Sequence, residues 1–246
     1  MKKTVFLYLC SMMLLTACHF DGLAISGINK IEPSDNIVKN EYPQPSFSKV
    51  NISVMANVKF IQGKEKDYRV VLSAPDNYVD LFRFKVDKDQ LNVDFTRNNV
   101  TITTDNVDVT IYSPTLTKLE NSGMASVETD RLKGERLELN NLGVGTLYMN
   151  GLKLNALDAE CSGVGNIELE GTALEVRLET SGVGSIKAEN LKGRDVEAEV
   201  SGVGNIVCHA SNSIKGEVSG IGSLKYGGNP QAKKLNRSGV GSISPL

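Results

Sequence analysis

Few side chains in this sequence could carry chemistry. The chain holds two histidines, His19 and His209. Two such residues, one near the start and the other at an outward strand position, assemble neither a histidine-based triad nor a histidine metal cluster. The carboxylates are better organised. Glu160, Glu179, Glu199 and Glu217 recur about nineteen residues apart, with Asp158 and Glu197 beside them. If successive repeats stack, the four glutamates form one column of mutually repelling charges. Ca²⁺ would relieve it through carboxylate oxygens, which makes these four the candidate calcium ligands. A cationic partner would also relieve it. The simpler reading is a solvated face partly neutralised by Arg177 and Lys215. No catalytic residue is assigned, no cofactor is expected, and no metal site beyond this calcium candidate.

The cysteines divide by position. Lys2 and Lys3 precede an apolar run from Val5 to Leu15, too short for the ~20 residues of a membrane-spanning helix and typical of a secretory leader. It ends in Leu15-Thr16-Ala17-Cys18, a sequence that resembles the lipobox of bacterial lipoprotein precursors. The expectation is a signal peptide over 1–17 and a diacylglycerol thioether on Cys18. The anchored chain would then meet the membrane through its N-terminal lipid. Asp does not follow Cys18; His19 does, which favours the outer membrane, facing either the periplasm or the surface. Residues 18–46 mix small polar residues with Pro33, Pro43 and Pro45 and read as the lipidated cysteine and a flexible tether. Cys161 and Cys208 are expected to be buried free thiols in different inward columns, too far apart to bridge.

These residues are positioned by a repeat. Ser-Gly-Val-Gly-(Asn/Ser)-Ile begins at Ser162, Ser181 and Ser201, and looser copies begin at Ser122, Leu142, Ser219 and Ser238. The first glycines, Gly123, Gly143, Gly163, Gly182, Gly202, Gly220 and Gly239, are 20, 20, 19, 20, 18 and 19 residues apart. Such a period marks a solenoid. Around each copy the residues alternate as a strand does. Leu137, Leu157, Val176, Val196 and Ile214 form one inward column, and Leu147, Ile167, Ile186, Ile206, Leu224 and Ile243 another. The fold expected over 121–246 is therefore all-β: a parallel β-solenoid with coils of about nineteen residues. The paired glycines Gly163/Gly165, Gly182/Gly184, Gly202/Gly204 and Gly220/Gly222 are its corners, and glycine is expected there for its backbone freedom. The Val or Ile between them is expected to plug the corner from inside.

Residues 47–120 alternate less regularly and should form a strand-rich N-terminal cap with the first coils. At the other end, Pro245 is the only edge protection legible in the sequence. The succession Val50-Asn51-Ile52-Ser53-Val54, Val58-Lys59-Phe60-Ile61, Leu91-Asn92-Val93 and Val109-Thr110-Ile111-Tyr112-Ser113-Pro114, followed by repeated Ser-Gly-Val-Gly, resembles the head-GIN domain family of Bacteroidetes lipoproteins. That family is named for auto-transporter adhesins, although the name rests on shape. The resemblance covers about 47–246. It implies a single-stranded right-handed β-helix in the cell envelope, and it brings no catalytic residues.

The formal net charge is −2, or −4 once Lys2 and Lys3 leave with the leader. No basic field is present to hold a phosphate backbone, so nucleic acid is not an expected partner. The function expected is a non-enzymatic, lipid-anchored binding or adhesin-like module for a glycan or protein ligand. The alternatives are a polysaccharide-degrading enzyme on the same scaffold and a structural or signalling envelope component. Oligomeric state is left open.

Overall fold

The computed structural model describes residues 29–246. The leader and Cys18 lie outside them. The chain forms a parallel β-solenoid of about six turns, in which three ladders of strands enclose one apolar core. The first ladder, just before the corners, stacks 118–121, 138–141, 158–161, 177–180, 197–200 and 215–218 in register. The second, just after them, stacks Met124–Thr129, 144–149, 164–168, 183–188, 203–208 and Ile221–Gly227. A short third ladder runs through 132–134, 152–154, 171–173, 191–193 and 209–210. The inward columns anticipated from alternation are buried throughout, apart from the half-buried Ile243 in the last coil. Register shifts fall between the second and third ladders and just after the third. Differences in repeat length are absorbed there, so the corners stay aligned.

Each corner follows one hydrogen-bond pattern. Ser162 and Gly163 both donate their backbone N–H to the Asn141 carbonyl, at 3.1 and 2.9 Å, and Val164 donates to Gly143. The same pattern recurs at Ser181/Gly182 on Cys161, Ser201/Gly202 on Thr180 and Ser219/Gly220 on Val200. Two donors on one acceptor bend the strand.

The reason for glycine differs from the one expected. Of the corner glycines, only Gly145 (φ 129°) and Gly222 (φ 159°, nearly extended) have positive φ. What excludes a side chain is the adjacent coil: a Cβ on Gly163, Gly165, Gly184 or Gly204 would lie closer than 3.0 Å to the carbonyl oxygen of the glycine one coil below.

Under the corner runs a fully buried column, of which only Cys161 was expected inside: Asn121, Asn141, Cys161, Thr180, Val200 and Val218. At its start the amides satisfy one another and the backbone. Asn121 Nδ2 donates to Asn141 Oδ1 at 3.0 Å, and Asn141 Nδ2 donates to the Gly145 carbonyl at 3.0 Å. Cys161 Sγ donates to the Gly165 carbonyl at 3.4 Å. Thr180 Oγ1 is buried without a partner.

The N-terminal end is closed by a cap whose stacking order departs from chain order. The coil made by Lys49–Ile52 and Met55–Gln62 lies between 118–121/124–128 on one side and 90–93/108–113 on the other. Antiparallel strands then terminate the stack. Arg69–Pro75 pairs with 108–112, Ile37–Pro43 pairs with Arg69–Pro75, and Phe82–Asp87 pairs with Gln90–Phe95. The tether reading of 18–46 is thus corrected at its C-terminal part: Asn29–Lys30 pairs with Val100–Thr101, and Ile37–Pro43 is a strand of the cap. Its alternate residues are half-buried, with Tyr42 packed 4.9 Å from Phe84. Pro43 is tolerated because it ends an edge strand.

The C-terminal coil, Ala232–Arg237 and Val240–Pro245, is guarded by more than Pro245. Register places Lys233 over Ile214 and Arg237 over Val218, so two cations occupy inward columns. Arg237 donates to the Gly241 carbonyl at 2.9 Å, and Lys233 Nζ lies 5.6 Å from the Tyr226 ring centroid. Inward-pointing charge on a terminal strand deters pairing with another chain.

Three stability outcomes are expected. Gly184→Ala should cost about 2–4 kcal/mol by forcing two coils apart. Gly134→Ala, whose added carbon meets only Leu154 Cδ2 at 3.7 Å, should stay within about 0.5 kcal/mol. Thr180→Val removes the orphan hydroxyl without changing shape and should add about 1 kcal/mol. Urea titration reads all three as midpoint shifts at unchanged slope.

Candidate functional site

The column Glu160–Glu179–Glu199–Glu217 is formed in register, one carboxylate per coil. Its neighbours are not left to repel. Arg177 donates to Glu179 at 2.6 Å and to Asp158 at 3.4 Å, Arg136 approaches Asp158 at 3.6 Å, and Lys215 reaches Glu197 at 2.6 Å. Among the described residues, no group of three or more histidine, cysteine or carboxylate side chains converges as a metal site would require. The four calcium candidates therefore share a column without being gathered into a coordination shell. His209 is half-buried beside the third ladder, paired in register with Lys192, and takes no part in this cluster.

Beside the acidic column runs a groove of about 550 Å³. Between its walls run Leu157, Val176, Val196 and Ile214, whose side chains belong to the inward column and are at most 5% exposed. One wall is Asp158, Arg177, Glu197, Lys215 and Lys234; the other includes Glu175, Asp195 and Ser213. Asp195 is held at about 2 by hydrogen bonds from Ser213 and Asn212 and by Arg194, so it stays ionised at any physiological pH. The groove crosses six stacked strands, from Arg136 to Lys234, about 24 Å at the usual strand spacing. It is an open channel with one wall whose charges alternate from Asp158 through Arg177 and Glu197 to Lys215. Sequence reasoning found its wall residues as an outward column, but not the concavity, which depends on how the strand before 156–158 turns in from the third ladder.

The residues between the paired glycines lie where they were not expected. Val144, Val164, Val183, Val203, Ile221 and Val240 are 45% to 77% exposed. The plug reading is corrected: all but Val240 lie three residues from a buried position on either side, and an odd number of steps puts a strand residue on the outward face. Counting parity through the corner finds this signal in the sequence.

The chain matches, over residues 46–230, the family described as "Putative auto-transporter adhesin, head GIN domain". It belongs to this family. The crystal structure of a putative adhesin from Bacteroides fragilis NCTC 9343 shares 32% identity with this head-GIN protein, covers 88% of this chain and 100% of its own, and superposes with a TM-score of 0.84. Two further crystal structures show the same fold at lower identity. A putative lipid binding protein from Parabacteroides distasonis ATCC 8503 has 19% identity, 89% and 100% coverage and a TM-score of 0.73. A putative adhesin from Parabacteroides merdae ATCC 43184 has 20% identity, 88% and 99% coverage and a TM-score of 0.62. No curated protein matches the chain.

The two body cysteines are buried and unbridged, as expected. Burial pushes Cys161 up to about 11, with a smaller contribution from Glu160, and Cys208 up to about 12. Thiols that keep their protons are poor nucleophiles. Neither should react with a disulfide reagent at pH 8 in the folded protein, and both should react in denaturant. Because the folded values lie above the ordinary 9.0, this protonation contributes stability that is complete below pH 9 and lost as pH rises towards 11–12.

Proposed function

We propose that this head-GIN protein is a cell-envelope binding module, anchored by lipid at Cys18, that holds an extended polymer or protein segment in the groove without transforming it. The observation that carries this reading is the groove itself. It is an open channel along the solenoid axis, and its wall charges are largely paired with one another, as at Arg177–Asp158 and Lys215–Glu197. Such a surface offers each repeat of a ligand a similar small set of contacts, and several weak contacts along one chain add to useful avidity. Membership of an adhesin-named family supports a binding role and an envelope location. No helix among the described residues is long and apolar enough to cross a membrane, so the proposed attachment is the N-terminal lipid.

Glycan and host-matrix arrays test the reading. Binding is expected for an extended polymer and should fall at least tenfold when Arg177→Ala and Lys215→Ala are combined, while Lys64→Ala, in a cap loop away from the groove, leaves it unchanged. Binding that survives the double substitution moves the site elsewhere. Shortening of the bound polymer would make the protein an enzyme.

A further inference from the structure

Met124, Val144, Val164, Val183, Val203, Ile221 and Val240 stand one above another in register. They make a straight apolar ridge about 29 Å long at the usual strand spacing. The fold does not require it, because these side chains point away from the core and a threonine would suit the same strand position.

The ridge has a charge-free border. From the residue before each first glycine to the third residue after it, the seven corners comprise 122–126, 142–146, 162–166, 181–185, 201–205, 219–223 and 238–242. None of these positions is Asp, Glu, Lys or Arg, in a chain that is 23% charged. Charged columns resume only beyond the border, at Glu160, Glu179, Glu199 and Glu217 on one side and at Glu168, Lys187 and Lys225 on the other. An outward apolar line within a neutral border is arranged for a neutral, apolar medium.

The route of the N-terminus identifies that medium. Asn29–Lys30 pairs with Val100–Thr101, and Ile31 donates to the Thr101 carbonyl. The next residues, Ile102 to Asp105, line a depression together with Met55, Met124 and Val144 at the first end of the ridge. Exposed apolar side chains are densest there, with Leu142 and Tyr148 beside Met124 and Val144. Eleven residue steps separate Cys18 from Asn29, a reach of at most about 40 Å. A lipid on Cys18 would therefore hold this end of the ridge near the bilayer.

We propose that the corner ridge rests in the headgroup boundary of the membrane, so that the solenoid lies along the bilayer rather than standing off it. A convex line of branched aliphatic side chains enters between headgroups without enclosing a ligand. A second copy of the chain would have to meet this convex edge with another convex edge, which buries little area. The flanking glutamate column makes the expected preference one for zwitterionic over anionic lipid, and attachment through apolar contact does not weaken with salt. The inference concerns a surface separate from the groove and does not depend on what the groove holds.

The test uses the chain from residue 18 with Cys18→Ser, so that no lipid contributes. The Bacteroides fragilis relative, whose whole crystallised chain aligns with 88% of this one, supports folding of such a body. The probe is phosphatidylcholine vesicles. Since the protein has no tryptophan, Val183→Trp provides a single reporter on the ridge and Ser213→Trp one in the groove. The Val183→Trp emission should shift to the blue and be quenched by brominated lipid, equally at 0.1 and 0.5 M salt, while Ser213→Trp should not change. Val164→Thr, Val183→Thr and Val203→Thr together preserve shape and strand preference, and should lower vesicle partitioning at least fivefold with unchanged thermal unfolding. Absence of a shift at Val183→Trp, binding that requires anionic lipid, or ridge substitutions that alter only self-association in sedimentation would each overturn the proposal.

Discussion

At the corners a glycine of each coil leaves no room for a Cβ beside the carbonyl of the glycine below, while two successive N–H groups converge on one acceptor. Only a residue without Cβ permits that spacing. The corners therefore act as the fixed points from which every column is counted. Coils of different length still stack, because their extra residues are taken up near the third ladder, where register shifts break no corner contact.

From that registration follow both surfaces on which a functional reading can rest. Once corresponding residues of successive coils are stacked, any side chain repeated in the sequence becomes a line in space. Repeated inward aliphatics become the core. Repeated outward charges become walls whose ions can pair along the axis, as Arg177 does with Asp158 and Lys215 with Glu197. The repeated valine between glycines becomes a ridge. None of these features is deep, and none concentrates reactive groups. The scaffold instead multiplies one modest contact along its length, which suits partners that are themselves extended: a polymer for the groove, a bilayer for the ridge.

The two ends show how a repeating structure stops. At the first end, antiparallel strands carry an aromatic cluster in which Phe82 packs 5.2 Å from Phe95, and the coil order departs from chain order so that no parallel edge is left open. At the other end the coil pattern continues to the last residues, but Lys233 and Arg237 replace aliphatics at inward positions. An apolar strand there would invite continuation by another chain, and the charges make that costly.

Sequence alone determined the repeat, the solenoid, the inward columns from Leu137 to Ile214 and the two isolated thiols, because spacing and alternation are local properties that each copy states again. The expected leader and lipid on Cys18 rest on sequence alone and lie outside the described residues. Tertiary structure decided what depends on neighbours in space. The glycines are required by the coil below rather than by their own backbone angles. Val164 and its counterparts face outward because alternation runs through the bend. Ile37–Pro43 is a strand because Arg69–Pro75 offers it an edge, and its alternation is too short and proline-bounded to declare that alone. The groove exists only where an inward aliphatic column meets a change of chain direction, and no window of one strand contains both.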